Sequence, residues 1–322
     1  MIAFISKRIV ISLVLILAVM TFSFVLMHMA PGDPTAMYIR PEIAPKVVES
    51  IRHQFGLDQS LWQQYVRWIK ECSQFEFGTS FTHLRPVRAI LTEALRNTLQ
   101  LTLIAFLFQM VIGILLGIYA AIKEHSWQDQ AIQSGLLILY SIPGFWLALL
   151  AITLFSLKLG WLPSGQMQAI NTSGGWHLWL NRIQHMILPV IILSMPFIAY
   201  TARFMRESVL RILKQDYIRT AFSYGLPKRR ILGRYVLKNA LMPQVTLIGL
   251  YLPFLFGGAV VIEHIFAWPG VGRITVNAIF SHDFPLILAS NFIATVTVVV
   301  GNLISDMLYA VVDPRIRHQS HA

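Results

Sequence analysis

Charged residues are scarce in this chain. Asp, Glu, Lys and Arg make up 13% of its 322 residues, whereas soluble domains have about 25%. Hydrophobic residues make up 56%, and apolar windows recur that are long enough to cross a hydrocarbon layer of about 30 Å. The composition excludes an ordinary soluble domain and predicts an integral membrane protein.

Cysteine is almost absent, since Cys72 is the only one. A single thiol forms no internal disulfide, and without a C-x-x-C pair the sequence has no zinc or redox site of that kind. We interpret Cys72 as filler on the apolar face of a helix.

The motifs of common enzymes are missing as well. The sequence contains no G-x-x-x-x-G-K-[ST] loop, no H-E-x-x-H pair and no G-x-G-x-x-G turn, which are the usual phosphate-, zinc- and dinucleotide-binding motifs. It also has no G-x-S-x-G nucleophile elbow. We therefore predict no catalytic residue, no bound metal and no cofactor in this chain.

The net charge of +11 has two interpretations. Nucleic-acid binding is disfavoured, because the sequence has no soluble basic domain with interleaved aromatic residues. Basic loops retained on the cytoplasmic side of a membrane explain the charge better. We therefore expect membrane lipid as a partner and no nucleic acid.

Six apolar segments are predicted to span the membrane, which gives an all-α fold, a polytopic helical bundle. They cover residues 9–29, 98–121, 131–157, 186–204, 243–262 and 286–311. The first is too long for the apolar region of a signal peptide, so we interpret it as a retained span. With the N-terminus inside, the inner segments hold fourteen Lys and Arg residues and the two short outer loops hold three. This asymmetry places both termini in the cytoplasm.

These spans divide the chain into four parts. They are an N-terminal transmembrane helix at 1–30, an outer helical segment at 31–96, a transmembrane core at 97–312 with a cytoplasmic loop at 205–242, and a cytoplasmic tail at 313–322.

The outer segment is predicted to contain an amphipathic helix. Its apolar residues recur at helical spacing: Leu61, Tyr65, Trp68, Ile69 and Cys72. The stretch 85–97 is expected to lie flat before the second span. The whole segment is either a lid or docking platform on the outer face, or a set of helices that covers the bundle.

Proline and glycine are predicted to interrupt three spans. The residues are Pro143 and Gly144 in the third span, Pro189 and Pro196 in the fourth, and Pro253, Gly257 and Gly258 in the fifth. Proline removes a backbone hydrogen bond and kinks a helix. Such kinks suit a protein that opens and closes a path, but they occur in membrane helices of every class.

Ionisable side chains are nearly absent from the spans. Asp306 lies toward the cytoplasmic end of the sixth span with Asn302 one turn earlier, and Gln109 lies near the middle of the second. Ion-driven carriers place such groups on their pathway, whereas polar side chains also join neighbouring helices. These three residues are candidates for either role. The scarcity of ionisable groups in the spans indicates a conduit that receives its driving force from a partner.

A polar island, "DYIRTAFSYGLPKRR", occupies residues 216–230 between two apolar runs. Its spacing predicts a short amphipathic helix with Tyr217, Ala221 and Tyr224 on one face. Gly225 is suited to end the helix in the left-handed conformation, and Pro227 suits the first turn of a second helix. A soluble partner could bind this helix, or the helix could lie on anionic lipid.

The island resembles the cytoplasmic "EAA" loop of ABC importer permeases of the type I fold. Gly225 and Ala221 match that pattern, whereas Arg219 and Thr220 replace its Glu and first Ala. The "RTA" variant is similar to the peptide/nickel branch of this family. The same branch is resembled by "APGDP", "FEFGTSF", "SIPGFWLALLAITLFSLKLGWLPSG", "GGAVVIEHIFAWPGVGR" and "DMLYAVVDPRIR", so the likeness covers nearly all of residues 1–317.

The resemblance implies an importer with several subunits in the bacterial cytoplasmic membrane. The partners would be a second, similar permease, two cytoplasmic ATPase subunits that bind ATP and Mg²⁺, and an outer solute-binding protein. Carried over from the family's loop, the contact with an ATPase would involve Arg219, Thr220, Ala221, Gly225, Leu226 and Pro227.

The sequence leaves two substrate classes open. Members of this branch carry di- and oligopeptides, nickel or metal chelates, and "IEHIFAWPGVGR" is slightly more similar to the nickel and metal-chelate members. The alternative function is an autonomous ion-coupled carrier or channel, which would depend on Asp306 and would need no ATPase.

Overall fold

A computed structural model describes residues 2–29, 58–169, 174–244, 247, 251 and 259–312, and all statements below refer to these residues. They form helices, with one isolated β-bridge between Thr79 and Pro86. The helices of the N-terminal half are α1 (Ile2–Met29), α2 (Leu61–Ser73), α3 (Val87–Ile122), α4 (Trp127–Ser141) and α5 (Gly144–Ala151), which continues as a π-helix (Ile152–Lys158).

The helices of the C-terminal half begin with α6 (Trp176–Leu213) and α7 (Asp216–Ser223). Next comes α8, which consists of the consecutive segments Lys228–Arg230, Ile231–Leu237 (a π-helix) and Lys238–Ala240. The last three are α9 (Val260–Ile265), α10 (Val271–Phe280) and α11 (Phe284–Val312).

Four of these helices are long and apolar enough to cross a membrane, and α4 with the following α5 counts as a fifth if the bent pair is one span. The all-α prediction is therefore confirmed for the described residues. The predicted fifth span, 243–262, falls largely outside them, as do Pro253, Gly257, Gly258 and the tail 313–322. The count of six spans and the cytoplasmic position of both termini stay predictions.

The prolines act differently in the third and fourth predicted spans, both of which the structure describes. α4 and α5 meet at a bend of 100°, and Pro143 is the N-cap of α5, so the predicted break in the third span is confirmed. Pro189 and Pro196, in contrast, lie inside the single continuous helix α6. The predicted interruption of the fourth span is wrong, because buried residues on both sides of these prolines hold α6 against its neighbours.

The chain forms two compact units. The first comprises residues Met1–Thr98 and Pro269–Val299. Its core includes Cys72, as the sequence predicts, and the buried residues Met20, Phe77, Val87, Ile90, Leu91, Ala278, Leu286, Ala289 and Phe292. Three of these come from the first turns of α3. The stretch 85–97 is therefore not a separate element that lies flat, because its apolar side chains are buried in this core and α3 begins at Val87.

A buried carboxylate fastens two turns within the first unit. Asp283 is 0% exposed and accepts hydrogen bonds from the Ser80 hydroxyl at 2.5 Å and from the Thr82 backbone N–H at 3.0 Å. It also accepts a longer bond of 3.4 Å from the N–H of Leu286, in the first turn of α11. This network fixes the loop before α3 to the start of α11.

The second unit comprises residues Leu99–Trp268 and Val300–Ala322. In it, α3 and α6 run parallel and approach closely. The Ser194 hydroxyl donates to the Ala105 carbonyl at 3.0 Å, and farther along the pair Gly113 lies against Thr201 and Gly117 lies against Ala202 and Met205. A Cβ atom on Gly117 would be 2.4 Å from the Ala202 carbonyl oxygen, so only glycine fits at this contact.

Candidate functional site

The polar island of the sequence folds as a helix, a turn and a second helix. α7 spans Asp216–Ser223 and has Asp216 in its first turn, where a negative charge interacts favourably with the helix dipole. The Thr220 and Ser223 hydroxyls donate to backbone carbonyls one turn earlier. The predicted helix is thus confirmed, although it ends three residues before Leu226.

The turn after α7 is a Schellman motif. The Gly225 N–H donates to the Phe222 carbonyl at 2.9 Å, and the Leu226 N–H donates to the Ala221 carbonyl at 3.3 Å. These two bonds satisfy carbonyls that a helix C-terminus leaves free. Gly225 has φ of +71°, the left-handed conformation that glycine adopts without strain. The role predicted for Gly225 as the terminator of the helix is confirmed.

Pro227 starts the next helix. It is the N-cap of Lys228–Arg230, with φ of −64°, and its carbonyl accepts from the N–H groups of Arg230 at 2.8 Å and Ile231 at 3.2 Å. The missing N–H of proline costs nothing at a helix start. α7 and α8 are therefore joined by a short turn of defined geometry.

One face of α7 is buried against α6 and α8. Ile218 is 0% exposed and Ala221 is 6% exposed. They share a cluster with buried residues from the ends of α3 and α6 and from α8, namely Ala121, Met205, Val209, Ile231, Val236 and Ala240. This cluster makes α7 part of the same packed body as the helices on either side of it.

The rest of α7 is exposed, and three aromatic side chains flank its buried stripe, with the Tyr217 hydroxyl accepting a hydrogen bond from Asn239 of α8 at 3.2 Å. Tyr217, Phe222 and Tyr224 are 44%, 45% and 82% exposed, next to the exposed side chain of Arg219. Of the three residues predicted to share one face, Ala221 is buried, whereas Tyr217 and Tyr224 are exposed. Three aromatic residues within a charged island were the sequence signal for this surface, and helical spacing alone did not separate the buried side from the exposed side.

The six positions that the resemblance assigns to the ATPase contact divide into two groups. Arg219, Thr220, Gly225 and Pro227 are exposed, whereas Ala221 is buried and Leu226 is half-buried. Leu226 packs against the cluster that holds Ala221. The exposed four are available to a partner, and the other two hold the turn in place.

The three polar candidates in the spans have different environments. Gln109 of α3 is 3% exposed, and its Oε1 accepts no hydrogen bond from the described residues. On α11, Asn302 is exposed and Asp306 is half-buried. Within the described ranges, no group of three or more His, Cys, Asp or Glu side chains is arranged to hold a metal ion.

An ion pair near the end of α6 was not found from the sequence. Asp129, in the first turn of α4, accepts from Arg206 Nε at 2.8 Å and from Arg206 Nη2 at 2.6 Å. The side chains of Arg206 and Asp129 are 21% and 5% exposed. Asp129 also accepts from the His125 N–H, and Ser126 caps α4. The pair ties the turn between α3 and α4 to the helix that leads into α7.

Two family descriptions match this chain. "Binding-protein-dependent transport system inner membrane component" matches residues 113–318. The corresponding N-terminal family of membrane components matches residues 1–102. Together they cover nearly the whole sequence, including the island and both units of the fold.

Curated relatives align over almost their full length. The oligopeptide transport system permease protein AppB of Bacillus subtilis (strain 168) is 39% identical over 319 residues, which are 99% of this chain and 100% of the relative. The glutathione transport system permease protein GsiC of Escherichia coli (strain K12) is 36% identical over 321 residues, again 99% and 100%. A putative peptide transport system permease protein of Brucella abortus (strain 2308) is 38% identical over 319 residues, with the same coverage of 99% and 100%.

A solved structure has the same fold at lower identity. The inward-facing MetNI methionine ABC transporter superposes with a TM-score of 0.53 at 17% identity, and the match covers 70% of this chain and 96% of that chain. This likeness supports the type I permease fold predicted from the sequence.

Proposed function

The chain belongs to the family of binding-protein-dependent transport system inner membrane components, and on that premise we propose that it forms half of the translocation path of an importer for peptides. It is a multi-pass ABC importer permease of the inner membrane, and ATP hydrolysis belongs to separate subunits. A second, similar permease completes the path. Two ATPase subunits bind ATP and Mg²⁺ below, and a binding protein delivers substrate from outside.

The exposed face of α7 carries this proposal. Arg219 lies on this face and the exposed side chains of Tyr217, Phe222 and Tyr224 flank it, while Ile218 and Ala221 are buried against α6 and α8. Aromatic and Arg side chains are enriched at protein interfaces. We assign this face, with the turn at Gly225 and Pro227, as the contact with an ATPase subunit.

The buried cluster explains how such a contact could move the spans. A force on α7 acts on the ends of α6 and α8 together, because the three pack as one body. ATP-driven closure of the ATPase subunits would then favour one of two states of the path. A bias of about 5.5 kcal/mol is enough to change a two-state ratio from 1:99 to 99:1.

Gly225→Val is expected to uncouple the importer. No atom of the described residues lies within 4 Å of a Cβ built on Gly225, so the effect comes from the backbone. Glycine adopts the left-handed conformation without strain, whereas it costs other L-residues about 1–2 kcal/mol. We expect the ATPase stimulation by loaded binding protein to fall by about tenfold, the equivalent of 1.4 kcal/mol, with unchanged expression of the chain.

The matched control is Gly225→Asn. Asparagine tolerates the left-handed conformation better than other residues, so this variant should keep most of the stimulation. Full stimulation and uptake in Gly225→Val would contradict the role of the turn. Uptake by the purified chain alone in vesicles, lost in Asp306→Asn, would instead favour the ion-coupled alternative.

The names of the relatives support the proposed substrate class. AppB is named for oligopeptides and GsiC for glutathione, so we propose peptides in preference to the nickel or metal chelates favoured by one sequence motif. Calorimetric titration of the cognate binding protein should show binding of short peptides and none of nickel chelates. The reverse result would overturn the peptide assignment and leave the permease assignment intact.

A further inference from the structure

The outer helix α2 has apolar residues on two sides. Tyr65, Trp68 and Cys72 are turned toward α1 and the core of the first unit. A second group lies on the flank and is exposed in the part of the chain that the structure describes, with Trp62 at 71% and Val66 at 46%. These two residues are one helical turn apart, so they form one continuous apolar strip.

Contacts with α1 fix the level of α2 along that helix. The Tyr65 hydroxyl lies 2.7 Å from the Thr21 hydroxyl, and the Trp68 ring stacks on Phe24 with a centroid distance of 5.6 Å. Thr21 precedes the last residue of α1, Met29, by eight residues, which is about 12 Å of helix. α2 therefore lies beside the membrane-spanning part of α1 and not beyond its end.

At the same level, the opposite side of α1 is apolar and exposed. Phe22 and Leu26 are 64% and 50% exposed in a helix that is a candidate span. This side is suited to face lipid hydrocarbon. The strip on α2 lies at the depth of this lipid-facing surface.

The polar residues of α2 lie on the remaining side. Gln63, Arg67 and Lys70 are exposed there, and Arg67 pairs with Glu71 at 2.8 Å. A helix with a buried side, an apolar flank and a charged side fits the boundary between hydrocarbon and water. Tryptophan is enriched at this boundary because its ring is amphipathic.

We propose that the flank of α2 formed by Trp62 and Val66 is immersed in the leaflet at the Met29 end of α1 and anchors the outer segment to the bilayer. The partner is lipid, and the surface is independent of the proposed contact at α7. Arg67 and Lys70 then face water or lipid headgroups.

Site-directed spin labelling tests this arrangement in the full chain reconstituted in bilayers. Trp62→Cys and Val66→Cys place a label on the flank, and Gln63→Cys and Lys70→Cys place one on the charged side. All four residues are exposed, so the labels displace no core side chain. Native Cys72 can stay, because it is 1% exposed and burial, together with Glu71, raises the pKa of its thiol to about 12.

The labels are compared by their collision rates with oxygen, which enters hydrocarbon, and with a charged nickel chelate, which stays in water. The ratio of the two rates should be higher at positions 62 and 66 than at positions 63 and 70 by about threefold or more, because apolar solutes partition out of water. A label at Leu26→Cys on α1 provides the reference for a lipid-facing position. Equal ratios on both sides of α2 would overturn the proposal, and so would protection of positions 62 and 66 from both reagents, which would show that protein covers the flank.

Discussion

Asp129→Ala is expected to cost about 3–5 kcal/mol of stability, because it leaves the Arg206 guanidinium without its partner in a largely buried site. Both bonds of the bidentate pair are lost, at 2.8 and 2.6 Å. The variant also removes the acceptor for the His125 N–H. Thermal unfolding of the purified chain in detergent would show the loss as a large drop in the midpoint temperature.

The matched control is Glu71→Ala. Its pair with Arg67 has the same 2.8 Å distance, but the two side chains are 50% and 35% exposed. Exposed ion pairs contribute about 0–1 kcal/mol, so this variant should unfold close to the parent. Arg206→Lys should fall between the two, since lysine keeps the charge but not the bidentate geometry. Equal midpoints for Asp129→Ala and Glu71→Ala would show that the Asp129–Arg206 pair contributes little.

Gly117→Ala is the second variant with a large expected effect. The added Cβ would lie 2.4 Å from the Ala202 carbonyl oxygen and 2.7 Å from Met205 Cβ. The first of these is a backbone atom, so α3 and α6 must separate to make room. Overpacking of this kind costs about 1–3 kcal/mol. Folded yield and the midpoint of thermal unfolding should both decrease.

Gly135→Ala, in α4, is the control of opposite sign. Within the described part of the chain, no atom lies within 4 Å of its added Cβ, and alanine favours a helix over glycine by about 1 kcal/mol. This variant should therefore be as stable as the parent or slightly more stable. A stable Gly117→Ala variant would contradict the close parallel packing of α3 and α6.

The sequence predicted the polar island at residues 216–230 well where the signal was local. The glycine at 225 and the proline at 227 restrict their own backbone, and the structure places them at the end of α7 and the start of α8. The inward position of Ala221 was missed, because it depends on Met205, Val209 and Ile231. None of these is adjacent to Ala221 in the chain.

The boundaries of the spans likewise depend partly on local sequence and partly on tertiary contacts. Hydrophobic length predicted that the second span begins at residue 98, but α3 begins at Val87. Its first turns are amphipathic and are buried in a core that includes residues from α10 and α11. Similarly, the third span breaks at Pro143, whereas α6 continues through Pro189 and Pro196. Contacts with neighbouring helices determine whether α6 continues.

By itself, the sequence determined a helical membrane protein, its family, and the place of the turn at Gly225, because apolar length, motif spacing and backbone preference are properties of consecutive residues. The tertiary structure decided which face of α7 is exposed, that Asp129 pairs with Arg206, that Gly117 lies against Ala202, and that α2 lies beside α1. Each of these depends on contacts between residues far apart in the chain, and burial is set by such contacts.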